Sequence, residues 1–88
     1  RMGRWWYGGE EIDIITLNEE SKEIVFFECK WSRLKEKEVE RIFDDLKRKA
    51  ALVRWHNLER REHYGIIAKT IEEKEAFREK SYYAFDLE

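Results

Sequence analysis

The sequence predicts an α/β domain, a mixed β-sheet flanked by helices. Three observations carry that expectation. Two segments, EEIDIITL (10–17) and EIVFFECKW (23–31), flank the short polar loop NEESK and are rich in β-branched and aromatic residues, which is the pattern of a β-hairpin. The following stretch, KEKEVERIFDDLKRKAALVRW, repeats Val39, Ile42, Phe43, Leu46, Ala50 and Val53 at helical spacing with charges between them. A further apolar run, HYGIIAKT (63–70), comes after that helix, and strand, helix, strand implies a right-handed crossover joining a parallel pair.

The elements follow in order. Gly8-Gly9 punctuates the chain before the hairpin. A hairpin loop symmetric about Glu20 and Ser21 sets Leu17 opposite Ile24, Ile15 opposite Phe26 and Asp13 opposite Glu28. One face then carries Asp13, Ile15, Leu17, Ile24, Phe26, Glu28 and Lys30. The other carries Ile12, Ile14, Thr16, Val25, Phe27, Cys29 and Trp31, since side chains alternate with period two. Both faces are apolar, which predicts a central second strand covered on both sides. The long helix is expected within KEKEVERIFDDLKRKAALVRW (35–55). EEKEAFREK (72–80) reads as a short polar helix and YYAFDL (82–87) as a last strand.

Eighty-eight residues make one small domain. The chain begins Arg-Met and is read as part of something longer. Its 18 Lys and Arg against 20 Asp and Glu give a net charge of −2, so any surface for nucleic acid must be a local patch. The 43% charged fraction would suit disorder, but 42% hydrophobic and 15% aromatic content argues for a folded core. A heavy Glu, Lys and Arg load is also the compositional lean of hyperthermophile proteins. The single Cys29 excludes an internal disulfide and suits a reducing compartment, so a cytoplasmic location is expected. No apolar run has membrane-spanning length, and no membrane partner is expected.

The chemistry concentrates at the open end of the hairpin. Glu28 and Lys30 interrupt a strand that is apolar on both faces, and the register adds Asp13 to them. As an exposed cross-strand ion pair such groups contribute little, and Glu20 and Lys22 repeat the same spacing in a polar loop. Beside a core, however, two carboxylates and a lysine cost free energy to desolvate unless they meet a partner. Mg²⁺, or Mn²⁺ in its place, takes one or two carboxylates with water and phosphate oxygens. Asp13 and Glu28 are the expected metal ligands, with the Cys29 backbone carbonyl as a third, and Lys30 is placed to orient a water or offset charge.

These residues, EIDII with Asp13 and FECKW with Glu28 and Lys30, resemble the PD-(D/E)xK nuclease superfamily, to which restriction endonucleases and archaeal Holliday-junction resolvases belong. More closely, GRWWYGGEEIDIITL and VFFECKW resemble the C-terminal nuclease-like domain of archaeal AAA-type ATPases. The resemblance implies a restriction-endonuclease-like αβββαβ core with strands in order 1-2-3-4, and it makes residues 1–88 a single nuclease-like domain. Arg4–Tyr7 would end the first strand. The first helix, with an additional Glu, would fall outside these residues, and Glu10 or Glu11 could substitute for that Glu in part. Asp13, Glu28 and Lys30 would be the catalytic residues of a DNA endonuclease. ATP would be used only by a domain outside this chain. An uncovered apolar face would be met by a second copy, giving a homodimer.

Other residues carry weaker signals. Arg33, Lys35 and Lys37 follow the site directly and are candidate DNA contacts, although a solvated loop and helix start accounts for them equally. Trp5, Trp6 and Tyr7 are expected to pack in a core or interface, with base stacking the alternative. Arg54, Arg60 and Arg61 read as surface charge, and Cys29 as a small buried hydrophobe. His56, His63 and Cys29 have no zinc-module spacing. The competing function is a non-catalytic module for DNA docking or self-association.

Overall fold

The computed structural model describes residues 1–88 throughout. Its elements are β1 (Met2–Tyr7), β2 (Glu10–Asn18), β3 (Glu23–Leu34), α1 (Glu36–Ala50), β4 (Arg61–Ile71), α2 (Lys74–Glu79) and β5 (Tyr83–Phe85). They form one five-stranded sheet in the order β1-β2-β3-β4-β5. β1, β2 and β3 are antiparallel neighbours, whereas β3, β4 and β5 run parallel. The α/β class and the crossover through α1 are as the sequence predicts.

Local chemistry sets both hairpins. Tyr7 pairs with Glu10, so Gly8 and Gly9 alone make the first turn, with φ of 56° and 85°. A two-residue turn with both φ values positive matches the twist of the strands it joins and favours glycine. In the second turn, Asn18 Oδ1 accepts the N–H groups of Glu20 and Ser21, and Lys22 closes the loop at a φ of 58°. The β2–β3 register matches the symmetric loop, with Leu17 on Ile24 and Ile15 on Phe26.

α1 covers one face of the sheet. Val39, Phe43, Leu46 and Ala50 are buried on it against Ile12, Ile15, Ile24, Phe26, Ile66 and Ala68. Glu36 and Glu38 sit in its first turn and Lys47, Arg48 and Lys49 in its last, the arrangement that opposes the helix dipole. The helix ends at Ala50, short of the expected residue 55. Arg60 is the reason. Its guanidinium donates to the carbonyls of Ala50, Val53 and Trp55, and its side chain is 2% exposed. It is therefore a buried clamp on the end of the helix and not surface charge. α2 lies beside α1 through the Phe43–Phe77 ring pair, so the short helix carries a buried Phe77 on an otherwise polar surface.

The second sheet face differs from the expectation of cover on both sides. No helix lies over it. Phe27 of β3 meets Tyr83 and Phe85 of β5 there, with centroids 6.2 and 6.3 Å apart, and Lys69 sits over the Trp31 ring. Trp31 and Phe85 remain 70% and 48% exposed. Phe27 lies across Gly65, where an added Cβ would come within 2.5 Å of the ring. Gly65→Ala is expected to destabilise the fold by about 1–3 kcal/mol through overpacking. Adding Phe27→Ala should recover part of that loss, so a double-mutant cycle in urea reads the contact directly.

Candidate functional site

Asp13 sits at a break in the ladder. From Gly3↔Ile15 to Trp5↔Ile12, two steps along β1 match three along β2, so β2 carries an extra residue there. Such a bulge re-aims the side chains beside it. One consequence corrects the predicted faces: Ile12 is fully buried in the same core as Ile15 and does not lie on the opposite side. The other concerns Cys29. From the loop outward, β2–β3 pairing stops at Ile14↔Phe27, and the Cys29 N–H donates instead to Asp13 Oδ2 at 2.9 Å. That places the Asp13 carboxylate against the peptide joining Glu28 to Cys29.

Glu28 projects from β3 toward the helix-covered side. Its side chain is 16% exposed, and its Oε1 is buried without a hydrogen-bond partner. Its carboxyl titrates above the ordinary carboxylate value. Burial is the main cause and the Asp13 charge the next, opposed by Lys49 and Lys30. Lys30 Nζ stands 4.0 Å from Glu28 Oε2 and is half exposed, a contact too long for a tight hydrogen bond. The structure thus brings Asp13, Glu28 and Lys30 to one place at the end of the hairpin pairing.

A second lysine reaches the same place. Lys49 of α1 is 11% exposed; its Nζ donates to the Glu11 carbonyl at 2.8 Å and lies 3.2 Å from Asp45 Oδ2. Sequence patterning passed over it, because a lysine in the last turn of a helix ordinarily complements the dipole. The signal was its position three residues after Leu46 and one before Ala50, on the flank of the buried stripe. Glu10 is committed elsewhere: both its oxygens accept from Arg48, at 2.7 and 3.1 Å.

The remaining predicted residues are dispersed. Arg33, Lys35 and Lys37 are exposed around the β3–α1 junction, and the Lys35 N–H donates to Glu38 Oε1 as a helix cap. Cys29 is exposed and not a buried hydrophobe, because it lies between Phe27 and Trp31 on the sheet face that no helix covers. Burial nonetheless pushes its thiol titration up, with the Asp13 and Glu28 charges adding to it. His56 bonds Glu19 and Glu59, and His63 bonds Glu23, so neither imidazole approaches Cys29.

Comparison with known proteins finds likeness in sequence. Residues 1–42 match the model of a family described as archaeal and bacterial proteins of unknown function. An uncharacterised protein of the archaeon Methanocaldococcus jannaschii is 47% identical over 75 residues, which is 85% of this chain. The chain covers 17% of that relative's length. No solved structure matches.

The donor set suits a hard cation. No three His, Cys, Asp or Glu side chains converge tightly enough to enclose a metal by themselves. Two carboxylates, one with a free buried oxygen, match the one or two that Mg²⁺ uses while keeping water and phosphate in its remaining positions. In the folded chain Glu28 holds its proton more tightly than in the unfolded chain. Its contribution to stability is therefore greatest at low pH and falls as pH rises from the ordinary carboxylate value through the raised folded one. Glu28→Gln should remove that dependence. In urea unfolding without divalent cations, the variant's stability relative to the native chain should increase with pH across this window.

Proposed function

We propose that this chain is a divalent-cation-dependent endonuclease-like domain acting on DNA phosphodiesters. The supporting observation is the partnerless, buried Glu28 Oε1 beside the Asp13 carboxylate. Asp13 and Glu28 hold the ion, Mg²⁺ or Mn²⁺, with the Cys29 carbonyl as a third oxygen. When bound, such an ion supplies Lewis-acid polarisation of the phosphate.

The chain's own residues supply the rest. Asp13 is held by the Cys29 N–H, which fixes one carboxylate oxygen and leaves the other free. Lys30, half exposed and only loosely paired, is free to turn toward a phosphate oxygen or an attacking water. Lys49 is tied to the Glu11 carbonyl and Asp45 and adds a fixed positive charge near Glu28. The resemblance to the nuclease superfamily and to archaeal ATPase C-terminal domains supports the same reading. ATP hydrolysis would belong to a region outside these residues.

The open aromatic face, with Phe27, Tyr83, Phe85 and Trp31, supports a second reading. There the fold is a non-catalytic module for DNA docking or self-association, and the hairpin carboxylates are a relic. One experiment separates the two. Supercoiled and branched DNA are incubated with the protein and Mg²⁺ or Mn²⁺, beside a Lys30→Ala variant. The nuclease reading expects nicking that falls by about 100-fold or more in the variant, the scale of a lost general acid–base or electrostatic group. DNA binding without nicking in either protein would overturn it in favour of the module.

A further inference from the structure

A cleft that the hairpin chemistry does not use lies along β1. This cleft opens between β1 and the loop joining α1 to β4, and Trp5, Tyr7, Ala51, Leu52, Arg54 and Asn57 line it. Its volume of about 620 Å³ falls within the range of ligand clefts, roughly 300–1,000 Å³. A smaller hollow continues it along β1, sharing Trp5 and Arg54 and adding Arg4 and Trp55.

We infer that this cleft binds single-stranded nucleic acid, with a base against the Trp5–Tyr7 ledge and a phosphate on Arg54. The ledge is preformed. The two rings lie 6.4 Å apart at 28°, Trp5 packs on the core, and Tyr7 is 64% exposed. Asn57 does not compete for the ligand, since its amide is spent on Val53 and Trp55. The indole N–H of Trp55 is likewise held by Glu19.

Charge points the same way. Arg48, Arg60 and Arg78 meet carboxylates, whereas Arg54 and Arg4 meet none. The end of α1 would repel an anion through its free carbonyls, but the Arg60 guanidinium already covers those of Ala50 and Val53. An aromatic ledge beside an unpaired guanidinium suits an unstacked base and its phosphate, and stacked duplex bases cannot present that face.

The cleft and the hairpin site are built on neighbouring elements. Tyr7 pairs with Glu10 on the strand that carries Asp13, and Ala51 follows Lys49 by two residues. A strand held in the cleft leads toward Asp13 and Glu28, which names frayed, branched or single-stranded DNA as the substrate class. That last step rests on the nuclease reading; the binding itself does not.

The test measures binding in EDTA, so that no cleavage enters. The probe is a fluorescein-labelled oligothymidylate of about twelve nucleotides, within the site sizes of single-strand binders, followed by anisotropy. Arg54→Glu is expected to weaken binding at least tenfold and to lower the salt slope by about one. Tyr7→Ala is expected to weaken it by about fivefold or more. The EDTA keeps this result separate from failure of the cation site, and Glu79→Gln, at the exposed end of α2, should bind like the native chain. Circular dichroism melts confirm that the variants fold. Unchanged affinity in both cleft variants would overturn the inference. So would equal competition by polyglutamate, which has charge but no bases, or tighter binding of a duplex of the same sequence.

Discussion

The hydrogen bond from the Cys29 N–H to Asp13 Oδ2 is the contact on which the rest of the site depends. Where β2 bulges away from strict pairing, a strand N–H loses its backbone acceptor. The Asp13 side chain takes the acceptor's place. By doing so it brings a negative charge alongside Glu28, whose own carboxyl is already penalised by burial. Two like charges are thereby held near one point, with Lys30 and Lys49 as the compensating charges. The raised carboxyl titration and the unbonded oxygen are what the proposal of a bound cation rests on.

The fold makes this arrangement rigid on one side and open on the other. α1 seals the core through Val39, Phe43, Leu46 and Ala50, and its last turn delivers Lys49 and Arg48 to the hairpin. Arg60 then stops the helix and frees the loop that walls the cleft at Trp5 and Tyr7. The opposite sheet face carries aromatic rings and no helix. Exposed apolar area of that kind is what the docking reading rests on. The catalytic reading and the docking reading therefore use different faces of the same sheet.

Much of this was legible in the residues. The symmetric NEESK loop fixed the register of Leu17 on Ile24 and Ile15 on Phe26, and the period of Val39, Phe43, Leu46 and Ala50 found the helix and its buried stripe. The bulge was not legible, because strict alternation has no place for an extra residue; Ile12 was therefore put on the wrong face. Arg60 was missed for a different reason. A guanidinium that caps carbonyls ten residues away in sequence leaves no local pattern, and it looks like any other charge in a chain that is 43% charged. Lys49 hid in the same background. Cys29 was misread because hydrophobic neighbours in sequence do not reveal which face of a strand is left without a covering helix.

The central claim is that Asp13 and Glu28 share one cation. Electron paramagnetic resonance of Mn²⁺ titrated into the chain, read as loss of the free-ion signal, tests it without DNA. The account predicts one Mn²⁺ bound per chain, with affinity falling at least tenfold in both Asp13→Asn and Glu28→Gln. Binding that survives either substitution, or no binding to the native chain, would contradict it.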